Sequence, residues 1–467
     1  MDPAMRVLHV ASEAAPFAKT GGLADVLGAL PPALAKLGHE VAVVLPRYRG
    51  VVLPRSRIWD ALPVHVGPHL FLAGIDEVVR QGVRYLFVDI PALYDRAGIY
   101  YDSTGDYPDN HIRFAALAQA AVAIARYIFR PDIFHAHDWQ AGLVPLYLRE
   151  HFAGDPTFFG SRCVFTIHNM GYRGNFPASA IPDLSLDPAL ANPSGLGVDG
   201  GVSFLKAGVV WSDAITTVSP TYAREIQVDP LLAPHAAKLT GILNGADYDE
   251  WSPETDWRIA ARYSADDLSN KRECKLALLR ELGLPPDPGS PVIGIISRLA
   301  YQKGMELVVE VAPWLARHEV SLVALGSGDA ALETEFRGLA SAHPSKIAVR
   351  IGYHEMLAHR VEAGADMFLM PSRYEPCGLN QMYSLRYGTL PIVRATGGLA
   401  DTVAPETGFL FRDYSAEALA SAVGAALEAY RDRDDWTKRM LLAMSKDFSW
   451  NASAREFDRL YRRVSGA

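Results

Sequence analysis

The chain has 467 residues, 49% of them hydrophobic and 21% charged, and a formal net charge of −8 at pH 7. That length exceeds one ordinary core and predicts two α/β domains, and the acidic balance argues against a general nucleic-acid or membrane surface. Three scattered cysteines (Cys163, Cys274 and Cys377) form no Cys-x-x-Cys pair, so neither a disulfide framework nor a cysteine zinc site is indicated. The amino terminus has no basic lead-in, and its apolar stretch is broken by His9 and Glu13. No apolar run approaches the ~18 residues of a membrane span, and the expected compartment is the cytoplasm.

The first strand pattern, Val7-Leu-His-Val10, runs toward Lys19-Thr-Gly-Gly-Leu-Ala-Asp25, which opens a helix. A glycine turn at a helix N-terminus exposes backbone N–H groups that suit a phosphate or diphosphate, and Lys19 adds a cation. The loop matches neither the dinucleotide fingerprint nor the P-loop pattern, which argues against a dehydrogenase and a P-loop NTPase. A lone Gly-Gly turn also serves to pack a helix on a strand. A near copy, Thr396-Gly-Gly-Leu-Ala-Asp401, follows another strand pattern and shifts the weight toward anion binding.

Further strands are expected at 41–45, 85–90, 133–135, 163–167 and 214–218, alternating with helix patterns that are clearest over 112–126 and 142–152. The second half repeats the alternation, with strands at 292–297, 321–325, 347–351, 367–370 and 390–394. Strands apolar on both faces and separated by helices indicate parallel doubly wound sheets. Turn-rich Gly241-Ile-Leu-Asn-Gly-Ala-Asp247 is the expected join, and a last helix pattern over 452–464 is unassigned by pattern alone. Ligands of such sheets bind beyond the carboxyl ends of the strands, so two facing sheets define a cleft.

Residues with chemical capacity cluster at those strand ends. In His135-Ala-His-Asp-Trp139 the two histidines share one face with no third metal ligand in sight, and Asp138 reads as a carboxylate that hydrogen-bonds a hydroxyl. His168 follows the next strand, where a histidine serves structure as readily as chemistry. Arg298 and Lys303, between a strand and a helix, suit a diphosphate or are a solvated helix start. Glu375 lies between a strand end and the Gly378-Leu379 helix start, as a working carboxylate or a charge complementing the helix dipole. The Asp-x-Asp pairs at 247–249 and 432–434 lie in the join and in a charged helix end, and no metal site is expected.

Lys19-Thr-Gly-Gly-Leu, His135-Ala-His-Asp-Trp, Ser297-Arg-Leu with Gln302-Lys-Gly, Glu375-Pro-Cys-Gly-Leu and Thr396-Gly-Gly-Leu-Ala-Asp-Thr-Val resemble, in order, the motifs of bacterial glycogen synthases and plant starch synthases. Ser203-Phe-Leu-Lys-Ala-Gly, Val218-Ser-Pro-Thr-Tyr and Leu243-Asn-Gly with Trp251-Ser-Pro extend the resemblance across nearly the whole chain. It implies two Rossmann-like doubly wound domains of the GT-B type facing across a cleft. The expected segments are 1–241 on the acceptor side, 242–446 for the nucleotide sugar, and a helix over 447–467 returning to the first domain.

The activity implied is retaining transfer of glucose from ADP-glucose to the non-reducing 4-hydroxyl of an α-1,4-glucan, with no cofactor or metal. By the same resemblance Lys19, Gly21 and Gly22 contact the donor, and Arg298 and Lys303 hold its diphosphate. Thr396, Gly397 and Gly398 meet the phosphates, and Asp138, His168 and Glu375 surround the transferred glucose. Tyr353 lines the nucleobase pocket and Tyr94 the acceptor side, while Asn244, Cys377, Gly378 and Leu379 join the substrate-binding set. Glu375 is left open as nucleophile or electrostatic partner.

Two segments depart from the family pattern. Those after Ile226 and after Val403 are compact, which leaves acceptor preference and loop-mediated assembly open. Position 383 is a tyrosine where many related two-domain transferases carry a second glutamate, and that tyrosine favours the glycogen and starch synthase branch. The competing readings are a related transferase using UDP-glucose or a small acceptor, and a non-catalytic sugar-nucleotide-binding protein.

Overall fold

Strands that bury both faces between helices build the main sheet in each half of the chain. The structure, a computed structural model, describes residues 3–54 and 56–466. It divides into one unit made of Met1–Val218, Ala223–Gly245 and Trp450–Ala467, and a second made of Ser219–Tyr222 and Ala246–Ser449.

The sheet of the first unit contains β1 (Arg6–Val10), β2 (Glu40–Pro46), β3 (Arg57–Val66), β4 (His69–Arg80), β5 (Val83–Asp89), β6 (Ile133–His137), β7 (Arg162–Ile167), β8 (Ala214–Thr217) and β9 (Leu239–Gly241). Their order is β9-β8-β7-β6-β1-β2-β5-β4-β3. The strands from β9 to β5 run parallel, whereas β4 pairs antiparallel with both β5 and β3. The expectation of a wholly parallel sheet is therefore corrected at one edge. Along the end of β3 buried and exposed residues alternate, as in a strand covered on one face only. Buried Asp76 on β4 anchors this hairpin by accepting from Arg57 Nε at 3.0 Å and Arg47 Nη1 at 3.2 Å.

The helix pattern over 142–152 is broken into Asp138–Ala141, Leu143–Leu146 and a wider turn over Tyr147–His151. Pro145 has no N–H to return to the carbonyl of Ala141, and a Cβ on Gly142 would lie 2.0 Å from the carbonyl oxygen of Phe204. The last helix, Trp450–Ser465, packs in the first unit through Ala454, Phe457, Leu460 and Tyr461, all on one helical face.

In the second unit, β10 (Val292–Ile296), β11 (Ser321–Gly326), β12 (Ile347–Ile351), β13 (Met367–Met370), β14 (Leu390–Arg394) and β15 (Phe409–Phe411) form a parallel sheet in the order β12-β11-β10-β13-β14-β15. This is the order of a doubly wound nucleotide-binding sheet, with its reversal between β10 and β13. Beside it, Trp251 stacks between His359, at 3.7 Å between ring centroids, and Tyr383, at 4.3 Å. Asp256 accepts from the Tyr387 hydroxyl at 2.6 Å and lies 2.8 Å from His359 Nδ1. Tyr383 is thus a packing residue of this unit.

Lys271 is buried nearby, and its ammonium donates to the carbonyls of Ala363 and Tyr387 at 3.0 Å each and to Thr389 Oγ1 at 2.8 Å. Burial pulls its pKa down from 10.5 to about 8. Between those values the unfolded chain binds more protons than the folded one, so this group adds stability as pH rises through that window. In urea unfolding, the second unit of the native protein should gain about 1–2 kcal/mol relative to Lys271→Met between pH 8 and about 9.5. Parallel pH slopes for the two proteins would refute the assignment.

Candidate active site

Chain order in the first sheet reverses between β1 and β6, and the loops leaving the carboxyl ends there carry the predicted groups. After β1 the chain reaches Lys19, Gly21 and Gly22, with Gly22 starting the helix Gly22–Lys36. Lys19 Nζ pairs with Asp25 Oδ1 at 2.5 Å and is half exposed. A Cβ added to Gly21 or Gly22 meets nothing within 4 Å, so both glycines border open space.

Two backbone donors of this turn are already engaged. Glu13, which sequence reasoning did not single out, takes the N–H groups of Thr20 and Gly21 on one carboxylate oxygen, the latter at 3.2 Å. Its other oxygen accepts from Thr20 Oγ1 at 2.7 Å and from the Tyr100 hydroxyl at 2.5 Å. The anion expected at these two N–H groups is therefore a carboxylate of the chain itself. What the turn leaves open is the half-exposed Lys19 and the free face of the two glycines.

Asp138 follows β6 with a left-handed backbone, φ 54°. Its Oδ1 accepts the His168 N–H at 2.7 Å, and the Asn169 N–H also donates to this carboxylate. Burial pushes its pKa up to about 7, against the pull of those two N–H groups, and the Glu13 carboxylate pushes the same way as burial.

Behind Asp138 lies a histidine cluster. Parallel pairing sets His9 of β1 beside His135 of β6, and the two-residue period of the strand puts His137 on the same face. His9, His135 and His137 bring nitrogens within 4.8 Å of one another, so a third histidine is present where none was expected. Most of these nitrogens are committed to hydrogen bonds. His135 Nδ1 meets the Tyr461 hydroxyl at 2.7 Å, and its Nε2 meets Thr166 Oγ1 at 2.6 Å. His137 Nε2 lies 3.0 Å from His9 Nδ1, and its Nδ1 lies 3.0 Å from His168 Nε2. His9 Nε2 is buried with no hydrogen-bond partner among the described residues. Burial drives all four rings toward the neutral form, His9 and His168 to about 3.

At the reversal in the second sheet, the loop after β10 carries exposed Arg298, whose Nη2 donates to Gln302 Oε1 at 3.0 Å. The same loop carries Lys303, whose Nζ pairs with Glu375 Oε2 at 2.5 Å. Glu375 is buried in the loop after β13 and also accepts from Ser372 Oγ at 3.0 Å. Two glycines make this approach of loops possible. Gly304, φ 69°, lies where a Cβ would stand 2.1 Å from the Pro371 carbonyl oxygen. Gly397, φ 46°, lies where a Cβ would stand 1.8 Å from the Glu375 carbonyl oxygen. The Gly398 N–H donates to that same carbonyl at 3.2 Å, so this glycine pair, expected at phosphates with Thr396, holds the backbone of Glu375.

The remaining predicted residues divide by exposure. Tyr353 is 84% exposed just beyond β12. Cys377 and Asn244 are buried, Leu379 precedes the helix Asn380–Arg386, and Gly378 turns there with φ 74°. Tyr94, expected on the acceptor side, is corrected: it is fully buried, and its hydroxyl donates to the Arg113 carbonyl at 2.8 Å, so its ring belongs to the core of the first unit.

Comparison with known proteins reaches both units. Residues 6–244 match the family described as starch synthase catalytic domain, and residues 283–440 match glycosyl transferases group 1. A glycogen synthase of Koribacter versatilis (strain Ellin345) is 48% identical, over 98% of each chain. A glycogen synthase of Anaeromyxobacter sp. (strain Fw109-5) is 49% identical, over 99% of this chain and 100% of that one. Among solved structures, the catalytic domain of starch synthase IV from Arabidopsis thaliana, bound to ADP and acarbose, superposes with a TM-score of 0.89 at 32% identity, each chain covered in full. A sucrose-phosphate synthase from Thermosynechococcus elongatus, at 18% identity and a TM-score of 0.63 over 99% of each chain, shares the fold. Doubly wound order around β10 and β13, motifs in family order and likeness along the whole chain agree: this is a glucosyltransferase of the GT-B type and belongs to the glycogen and starch synthase family.

Proposed function

We propose that the chain transfers glucose from ADP-glucose to the non-reducing 4-hydroxyl of an α-1,4-glucan, with retention at the anomeric carbon and release of ADP. The observation that carries this reading is the Lys303–Glu375 ion pair, which sets a cation and a buried carboxylate 2.5 Å apart at the reversal of the nucleotide-binding sheet. When the bond from the anomeric carbon to the diphosphate breaks, negative charge grows on the leaving group and positive charge on the sugar. Lys303 and Arg298 then serve the diphosphate, and Glu375, released from Lys303, serves the sugar as nucleophile or electrostatic partner. In the first unit, Lys19 beside the open glycines serves a phosphate, and Asp138 and His168 accept and donate hydrogen bonds to the transferred glucose. Exposed Tyr353 suits a nucleobase. Lys19, Arg298 and Lys303 together supply positive charge of the kind a metal ion would bring to a diphosphate. The starch synthase bound to ADP and acarbose supports both the adenine nucleotide and the glucan. Cys163, Cys274 and Cys377 are all buried, and no disulfide joins them among the described residues, which accords with a reducing cytoplasm.

The deciding assay is release of ADP from ADP-glucose in the presence of glycogen, run beside UDP-glucose. Glycogen-dependent turnover favouring ADP-glucose is expected. Preference for UDP-glucose would overturn the choice of base, and tight ADP binding without turnover would make the chain a binding protein.

Glu375→Gln should keep the fold and ADP affinity while lowering kcat by ~10²–10⁴. A variant within a few-fold of the native rate would remove Glu375 from the chemistry.

Ionised, Asp138 accepts a charge-assisted hydrogen bond from a sugar hydroxyl and faces the positive charge growing on the sugar, and burial pushes its pKa up to about 7. Acidification protonates it, so kcat/KM for the donor should fall about tenfold per pH unit below an apparent pKa near 7. Asp138→Asn should abolish that acid limb along with most of the activity. An unchanged limb in the variant would assign the titration to another group.

A further inference from the structure

The first sheet buries a line of three imidazoles that ends at a predicted sugar-binding group. His9 Nδ1 lies 3.0 Å from His137 Nε2, and His137 Nδ1 lies 3.0 Å from His168 Nε2. His9 and His137 are fully buried on adjacent strands, and burial keeps all three rings neutral. A neutral imidazole has one N–H and one lone pair, so the protons along the line are linked: each ring donates in the same direction as its neighbour.

Two directions satisfy both contacts, and the far end distinguishes them. His9 Nε2 is buried with no hydrogen-bond partner among the described residues. If the line ran from His168 toward His9, that atom would carry an orphaned N–H in the core. If it runs from His9 toward His168, the same atom is a bare ring nitrogen. Orphaned buried N–H groups are the rarer of the two defects. The favoured arrangement is therefore His9 Nδ1–H to His137 Nε2, then His137 Nδ1–H to His168 Nε2.

We infer that His137, oriented in turn by His9, is a positioning residue that fixes His168 as its Nδ1–H tautomer, so that His168 presents a hydrogen-bond donor to an oxygen of the transferred sugar. His9 and His137 touch no substrate and act only through His168. The inference rests on the reading of His168 as a sugar-binding group, but the tautomer itself can be measured without turnover. A carboxylate in place of His137 would accept from His168 and reverse its tautomer. A second imidazole instead transmits the direction set by His9.

Long-range ¹H–¹⁵N spectra of the histidine-labelled native protein read the tautomer directly, with the His168 signal identified by its loss in His168→Ala. The expected pattern is a proton on Nδ1 and a lone pair on Nε2. Replacing His137 with Phe should disturb that pattern and lower kcat about 10–100-fold, by analogy with partners that orient metal-ligating histidines, with the donor KM within about twofold. His137→Asn, whose amide reaches the place of Nδ1, should restore both the His168 pattern and the rate. His137→Gln, whose amide falls at the Nε2 side, should not, although it is nearer in size. A proton on His168 Nε2 in the native protein would overturn the proposal, as would His137→Asn performing no better than Phe. Because the tautomer is read in the native protein without catalysis, its outcome is separate from the result of the ADP-release assay.

Discussion

Covering both faces of a parallel sheet removes nearly every place where a polar side chain is solvated, and the ends of the strands become the only ground for chemistry. In both sheets the central strands are buried along almost their whole length. Asp138 directly follows β6, His168 directly follows β7, and Arg298 and Glu375 lie in the loops that leave β10 and β13. β6 and β7 are neighbours beside the reversal of the first sheet, and β10 and β13 flank that of the second, so loops far apart in sequence meet without crossing. The ion pair of Lys303 with Glu375 follows from this arrangement: its partners are separated by 72 positions and share one sheet reversal.

The two Thr-Gly-Gly-Leu-Ala-Asp segments show how one sequence acquires different duties from its surroundings. Gly21 and Gly22 border open space, whereas Gly397 touches the backbone of Glu375 so closely that no other residue fits. Their terminal aspartates diverge as well. Asp25 pairs with Lys19, while Asp401 accepts from both the backbone and the hydroxyl of Thr221 at 2.7 Å. The second copy is thus a brace behind a carboxylate, and the first is a rim that a ligand can approach.

Much of this was legible before the structure because parallel strands announce themselves as apolar runs and their functional groups follow directly. The central strands of both sheets and the loops bearing Asp138, His168, Arg298, Lys303 and Glu375 were read this way. What escaped depends on non-local pairing. Glu13 is a single acidic residue in a small-residue stretch, and nothing in its neighbours shows that it turns back onto Thr20 and Gly21. His9 reads as a strand interior, and only the register with His135 makes it the start of a line of imidazoles. The hairpin of β3 and β4 carries no tight Asn-Gly turn, and its outward face bears Leu70 and Leu72, which blur the polar alternation. Tyr94 has the side chain of a sugar-stacking residue, and whether it faces solvent or the core is decided by the Arg113 carbonyl that receives its hydroxyl.

The Glu13 carboxylate has a consequence for how quickly a ligand is captured. Glycine-rich turns are ordinarily the loosest part of a site, and ordering them opposes binding. Here the turn is moulded around an internal anion, with Thr20 tied by its backbone and its hydroxyl and Gly21 by its backbone. For the donor phosphate proposed to bind beside Lys19, the surface would already be set in shape, and association would be a matter of diffusion and charge attraction instead of loop folding.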